Sequence, residues 1–373
     1  MNEKNGLAPN LKQNHLKIRP SYKSVNNHEA TSMRTIKWQD GTVITIDQTR
    51  LPLETVTLKI KTVAEMAEAI KNLRVRGAPL LGAAAAYGLA LAAYNSNATC
   101  ESELLADLED AAQTLKSTRP TAVNLFWAAD RVLDKARDFR GTVEETKAIV
   151  VREAQRIADE DAEANRAMGE NGAALINDGD VVLTHCNAGE LATVEYGTAL
   201  GVIRAAWKQG KKIKVIATET RPLLQGARLT AYELKRDGIP VTLITDSMVG
   251  YVMENRLVNK VIVGADRIVQ DAVVNKIGTF TVAVLAHEHG VPFYVAAPKS
   301  TFDLARTASE VIIEERKPAE VTHYGGQQVA AEGISVINPA FDITPLKYVT
   351  AIIYEGGVYY QKDFAKFKAG SLP

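Results

Sequence analysis

Two spacings of apolar residues divide the chain. Over residues 35–47 apolar and polar positions alternate, with Ile36 and Trp38 before Asp40-Gly41 and Val43, Thr45 and Ile46 after it. This predicts a β-hairpin closed by a turn that Asp-Gly favours. A further short strand is expected at 56–60. From Thr62 the spacing lengthens to three and four residues, and helices are predicted over 62–73, 79–95, 101–117, 122–139 and 142–174, the first opened by the capping pair Thr62 and Glu65. After Asn177-Asp178-Gly179-Asp180 the pattern changes again. Short β-branched runs at 181–183, 213–217, 241–244, 261–263 and 293–296 alternate with helix-length segments, which implies right-handed βαβ crossovers and a parallel, doubly wound sheet.

The expected fold class is therefore α/β: a mainly helical N-terminal domain with a small β-hairpin over 33–175, then a Rossmann-like domain over 176–373. Residues 1–32 read as a flexible polar tail without the apolar run of a signal peptide. Met33 precedes the first ordered-looking segment, so removing 1–32 is expected to leave activity intact. The most apolar stretch, 78–94, is built from alanine more than leucine and is too short to span a bilayer, which predicts a buried helix.

Composition narrows the function classes. Of 373 residues 46% are hydrophobic and 24% charged, with 44 basic and 44 acidic side chains, an ordinary globular balance. A net charge of zero supplies no general attraction to nucleic acid or anionic membrane. Phosphate binding would have to come from a few placed groups. Two cysteines, Cys100 and Cys186, make no disulfide framework and point to a reducing, cytoplasmic setting. The close pair His287 and His289 would face different sides of a helix, so neither a metal site nor a metal cofactor is expected.

In an open parallel sheet, ligands sit beyond the carboxyl ends of the strands. Cys186 ends one apolar run and opens the small-residue turn Asn187-Ala188-Gly189; near a helix N-terminus its thiolate would be favoured, although a buried inert cysteine is the commoner case. Asp266 ends the run 261–265, where lost hydration would raise its pKa and let it serve as a general acid. Capping the next helix, or pairing with Arg267, is the competing reading. The tripeptide Thr-Arg-Pro occurs at 118–120 and at 220–222, each proline fitting a first helical position and each arginine a phosphate. Gln225 could serve a sugar hydroxyl. Asn275-Lys276 before Ile277-Gly278-Thr279, and Arg76-Gly77-Ala78-Pro79, each join a cation to glycine at a helix start, yet neither is a Walker loop or a dinucleotide fingerprint. That disfavours a nicotinamide dehydrogenase. His185 should face away from Cys186 and make a structural hydrogen bond.

Together, Arg76-Gly77-Ala78-Pro79, the run Thr184 to Gly189, Glu219 to Arg228, Gly264-Ala265-Asp266-Arg267-Ile268 with Asn275 to Thr279, and Asn338 to Asp342 resemble the methylthioribose-1-phosphate isomerase family. The resemblance runs from about residue 33 to 360. It implies an aldose–ketose isomerisation in methionine salvage, without metal or organic cofactor, by a homodimer acting on a small sugar phosphate. Cys186 and Asp266 match the family's catalytic pair, and Arg76, Gly77, Ala78, Arg119, Gln225, Asn275 and Lys276 its substrate contacts. Two features depart from the family pattern: the loop 269–274 is about one residue short and lacks a turn glycine, and Glu190 stands where a small residue is common. Other sugar phosphates, 5-deoxyribose 1-phosphate or ribose 1,5-bisphosphate, fit the same motifs. A non-catalytic regulatory subunit of the related translation initiation factor shares the fold, but does not need Cys186 with Asp266.

Overall fold

In the computed structural model residues 33–369 are described; the tail expected over 1–32 lies outside them. Strands β1 (Ile36–Gln39) and β2 (Thr42–Ile46) pair antiparallel about the Asp40-Gly41 turn, with β3 (Thr57–Ile60) added to β2. Five helices come next: α1 (Val63–Lys71), α2 (Ala78–Asn95), α3 (Glu101–Thr118), α4 (Val123–Asp138) and α5 (Val143–Ala173). Capping boxes, Thr62 with Glu65 and Thr142 with Glu145, open α1 and α5, satisfying backbone donors that a helix start leaves free. Alanine-rich α2 is buried almost all round, because α3, α4 and α5 surround it. No helix among the described residues is long and apolar enough to cross a membrane.

The second half builds a seven-stranded sheet in the order β15-β14-β10-β7-β4-β5-β6. Its parallel members are β4 (Val181–Thr184), β5 (Lys214–Thr218), β6 (Val241–Ile244), β7 (Lys260–Val263), β10 (Phe293–Ala296) and β14 (Ala351–Tyr354); β15 (Gly357–Tyr360) joins β14 antiparallel. Chain order reverses between β4 and β7, which is the switch point where this architecture leaves a crevice. Successive strand residues enter different cores. Val182, Ile262 and Ala296 pack with α5 and α6 (Ala199–Lys208), while Leu183, Val261, Val263 and Val295 pack with α8 (Val249–Glu254) and α9 (Thr279–Glu288). Covering on both faces is why these strands read as continuous apolar runs.

Beyond β7 the chain makes a separate antiparallel sheet of β8 (Arg267–Ile268), β9 (Ala272–Lys276) and β13 (Phe341–Pro345). The segment read as a loop at 269–274 is thus the turn of a hairpin plus the start of β9, held in place by the distant β13. Between β10 and β13 a long excursion carries only the ribbon β11 (His323–Tyr324) with β12 (Gln327–Gln328) and short helical turns. Neither Thr-Arg-Pro proline begins a helix. Pro120 lies in the turn after α3 ends at Thr118, and Pro222 lies in a turn ahead of a π-helical turn, Gly226–Thr230, that leads into α7 (Ala231–Arg236).

Candidate active site

A cavity of about 320 Å³ opens at the switch point, at the small end of the range for ligand pockets. The nine residues that the family resemblance assigns to the site all line it: Arg76, Gly77, Ala78, Arg119, Cys186, Gln225, Asp266, Asn275 and Lys276. Arg221, the other arginine offered for a phosphate, does not, and donates instead to the Pro222 (3.0 Å) and Val321 (3.1 Å) carbonyls. Cys186 comes just after β4 and Asp266 just after β7, so the two strands that flank the reversal deliver them to one space.

Gly77 caps α2 with φ +109°, and a Cβ there would stand 2.5 Å from the Ala192 Cα. Only glycine lets α2 begin this close to the loop after Cys186. Cys186 itself has φ +66°. Its N–H donates to Thr220 Oγ1 (2.9 Å), and Thr230 Oγ1 donates to its carbonyl (2.6 Å), which fixes the loop from both sides. The element after this loop is one short turn, Glu190–Ala192, too brief to lend the dipole expected to favour a thiolate. Burial pushes the thiol pKa up, and the nearby Arg76 and Lys276 charges oppose it. His185 is satisfied within the core, with Nδ1 at 2.7 Å from Thr218 Oγ1 and Nε2 at 2.8 Å from the Ile277 carbonyl.

Asp266 neither caps a helix nor pairs with Arg267, which lies 3.6 Å from Asp303 and donates to the Thr121 carbonyl. Burial raises its pKa, while Lys276, Arg119 and Arg76 pull the other way. Lys276 ends β9 and lies over the Phe341 ring, 5.1 Å from its centroid. Among the described residues no carboxylate lies within ion-pairing distance of Arg76, Arg228 or Lys276, each of which lines the cavity. Arg76 instead donates to Gln48 Oε1 (2.8 Å) and to Asn187. Arg119 pairs with Glu314 (3.2 Å), yet its Nε has no partner, and neither does the buried Gln225 Oε1. Cations without carboxylate partners and buried polar atoms without protein partners, gathered around one cavity, suit an anionic, hydroxylated ligand.

Gln48, Arg228, Arg316 and Phe341 also line the cavity and are not among the residues nominated from sequence. Arg228 and Phe341 lie inside recognised motifs, but Arg316 sits in a charged stretch that reads as solvated surface. Glu190, the unusual position beside the cysteine loop, is buried away from the cavity against Arg236.

Residues 74–361 match the Initiation factor 2 subunit family. The chain is 54% identical, over 87% of its length and 94% of the relative's, to methylthioribose-1-phosphate isomerase of Thermosipho africanus. It is 56% identical, over 90% and 97%, to 5-deoxyribose 1-phosphate isomerase of Moorella thermoacetica. The crystal structure of 5-methylthioribose 1-phosphate isomerase from Pyrococcus horikoshii OT3 superposes with a TM-score of 0.84 at 46% identity, covering 91% of this chain and 96% of that one. With cavity, strand order and sequence in agreement, the chain belongs to the initiation factor 2 subunit family, among its sugar-phosphate isomerases.

Proposed function

We propose that this chain isomerises 5-methylthioribose 1-phosphate to 5-methylthioribulose 1-phosphate, with Asp266 and Cys186 as its catalytic residues. The observation that carries the reading is the convergence of a half-buried carboxyl and a half-buried thiol, from the ends of β7 and β4, on a cavity lined by unpaired cations. Arg76, Arg119 and Lys276 suit the phosphate. Gln225 and Asn275 suit the sugar hydroxyls.

The 1-phosphate blocks ordinary hemiacetal opening, so the ring oxygen must gain a proton as its bond to C1 breaks. A carboxyl whose pKa burial has raised holds that proton ready, and Asp266 donates it. The hydrogen on C2 must then reach C1. Burial pushes both Asp266 and Cys186 toward their protonated forms, and a site stocked with acid rather than strong base favours passage of that hydrogen with its electron pair. The 2-hydroxyl proton leaves by way of Cys186 and restores Asp266, so protons and electrons balance. Deuterium placed at C2 is expected to be retained at C1 in the ketose, read by NMR; washout into solvent would instead make a Cys186 thiolate the base.

The direct test is turnover of 5-methylthioribose 1-phosphate by the purified chain, watched for the ketose. The 56% identical relative named for 5-deoxyribose 1-phosphate supports that compound as a second substrate, and kcat/KM for the two ranks them. A cytoplasmic homodimer completes the reading. Edge strand β6 leaves Leu243 exposed, with Met248 and Tyr251 exposed in the adjoining segment, and light scattering should return twice the chain mass.

A further inference from the structure

Behind the cavity lies a buried charge cluster that the proposed reaction does not use. Glu233, on α7, is 0% exposed and Glu190 1%. Arg204, on α6, donates to Glu233 (2.8 Å) and to Asp237 (2.6 Å), while Arg236 pairs with Glu190 and with Asp237 (2.9 Å). Apolar side chains would join α6 to α7 as well as these charges do, since buried ion pairs seldom add net stability. What the Glu233 carboxylate supplies is directed toward the site. Its Oε1 accepts from Asn187 Nδ2 at 2.8 Å, and its Oε2 accepts from the Glu190 N–H at 2.8 Å. An amide presents donors at one end and an acceptor at the other. With Nδ2 turned to Glu233, Asn187 Oδ1 must face the opposite way, and there it accepts from the Arg76 guanidinium. Gly189 lies so close that a Cβ on it would stand 2.1 Å from Glu233 Oε2, so no side chain can come between.

We infer that Glu233 is a positioning residue for the anion-binding side of the cavity: its carboxylate sets the Asn187 amide, and that amide aims Arg76. The same carboxylate holds the loop after Cys186 through the Glu190 N–H. The kinetic half of the test rests on the isomerase reading, and a chemical half does not.

E233Q preserves size but replaces an acceptor-only group, and N187A deletes the link. Both, and the double variant, are assayed with 5-methylthioribose 1-phosphate, and Arg76 is labelled with phenylglyoxal and tracked by peptide mass spectrometry. Each single variant is expected to raise KM about tenfold, the scale of a lost charge-assisted hydrogen bond, with a smaller fall in kcat. The double variant should be no worse than the worse single one, and Arg76 should label several-fold faster in all three. A wild-type KM in folded E233Q, KM increments that multiply in the double variant, or an unchanged labelling rate would each overturn the relay. Should E233Q not fold, N187A, which leaves the Arg204–Glu233 pair in place, carries the same readings. If the wild-type chain turns over no sugar phosphate, the isomerase reading falls and the labelling rates alone decide the relay.

Discussion

Asp266 is a carboxyl group placed where folding alone would not put one. It is half-buried in the cavity wall, its pKa is raised first by burial, and among the described residues no cation lies within ion-pairing distance. Such a group costs stability near neutral pH and is retained for chemistry. Asp266→Asn keeps the shape and removes the donated proton, so kcat should fall by at least about a hundredfold, the scale of a lost acid–base group. Its Tm should not fall. Cys186→Ser should lose a similar factor in kcat, again without loss of fold in a thermal melt. Lys276→Ala differs in kind: Lys276 is an unpaired cation beside the cavity rather than a proton donor, so KM should rise with kcat largely kept. Near-normal turnover in either of the first two, or an unchanged KM in the third, would remove that residue from its assigned role.

Elements held by local rules were legible in the sequence, and elements held by distant partners were not. Capping boxes at Thr62 and Thr142 and the Asp40-Gly41 turn announce α1, α5 and the hairpin within a few residues. Five of the six parallel strands announce themselves as short apolar runs, β4, β7 and β10 because both faces are covered, whereas β14, which joins β10 only after the long excursion, is not among the expected runs. Cys186 and Asp266 were accessible to the same logic, since strand ends at a switch point are defined by strand order. The sheet β8-β9-β13 has no such signal, because β9 finds β13 only across the long excursion that precedes β13. The helix start expected just after Lys276 is there, at Thr279, but the strand that Lys276 ends, paired in register with Phe341, has no mark in the sequence. The helix dipole expected at Cys186 failed for a related reason: small residues after a strand specify a turn but not the length of the helical element beyond it. Asp342 shows what the missed sheet does. From β13 it accepts from the Gly278 N–H (2.7 Å) and the Phe280 N–H (3.1 Å), capping α9 beside Lys276. Gly278 has φ +102°, with His185 Cε1 2.9 Å from where a Cβ would stand, so this corner cannot be rebuilt by another residue. Asp342→Ala should cost about 1 kcal/mol in urea unfolding and raise KM, because the strand end that presents Lys276 loses its clamp.

Across the whole molecule, a half-buried carboxyl ties the helical layer to the loop beyond Cys186. Asp161, on α5, accepts from the Val194 N–H (2.7 Å) and from Asn165 Nδ2 (3.1 Å). Val194 in turn receives the Thr35 N–H, just ahead of β1, and Thr35 Oγ1 donates to the Glu190 carbonyl. Asp161 therefore ties α5 and the start of β1 to the segment just beyond Cys186. Burial pushes its pKa up to about 7, with Glu355 adding to the rise and the Val194 and Asn165 hydrogen bonds and Arg34 opposing it. A carboxyl that titrates near 3.8 unfolded and near 7 folded binds more protons in the folded chain between those limits, so stability is lost as pH rises through that window and changes little beyond it. Asp342, raised to about 6 by burial, acts in the same direction over a narrower range. Asp161→Asn keeps an acceptor for Val194 and cannot ionise. Urea unfolding at about pH 5 and about pH 8 should show the wild-type chain losing several times more stability across the interval than Asp161→Asn, with the two closest in stability at the acid end. Equal losses in both proteins would mean that Asp161 is already ionised in the folded chain, and that the junction between α5 and the cysteine loop is held by a charge rather than by a neutral hydrogen-bonded acid.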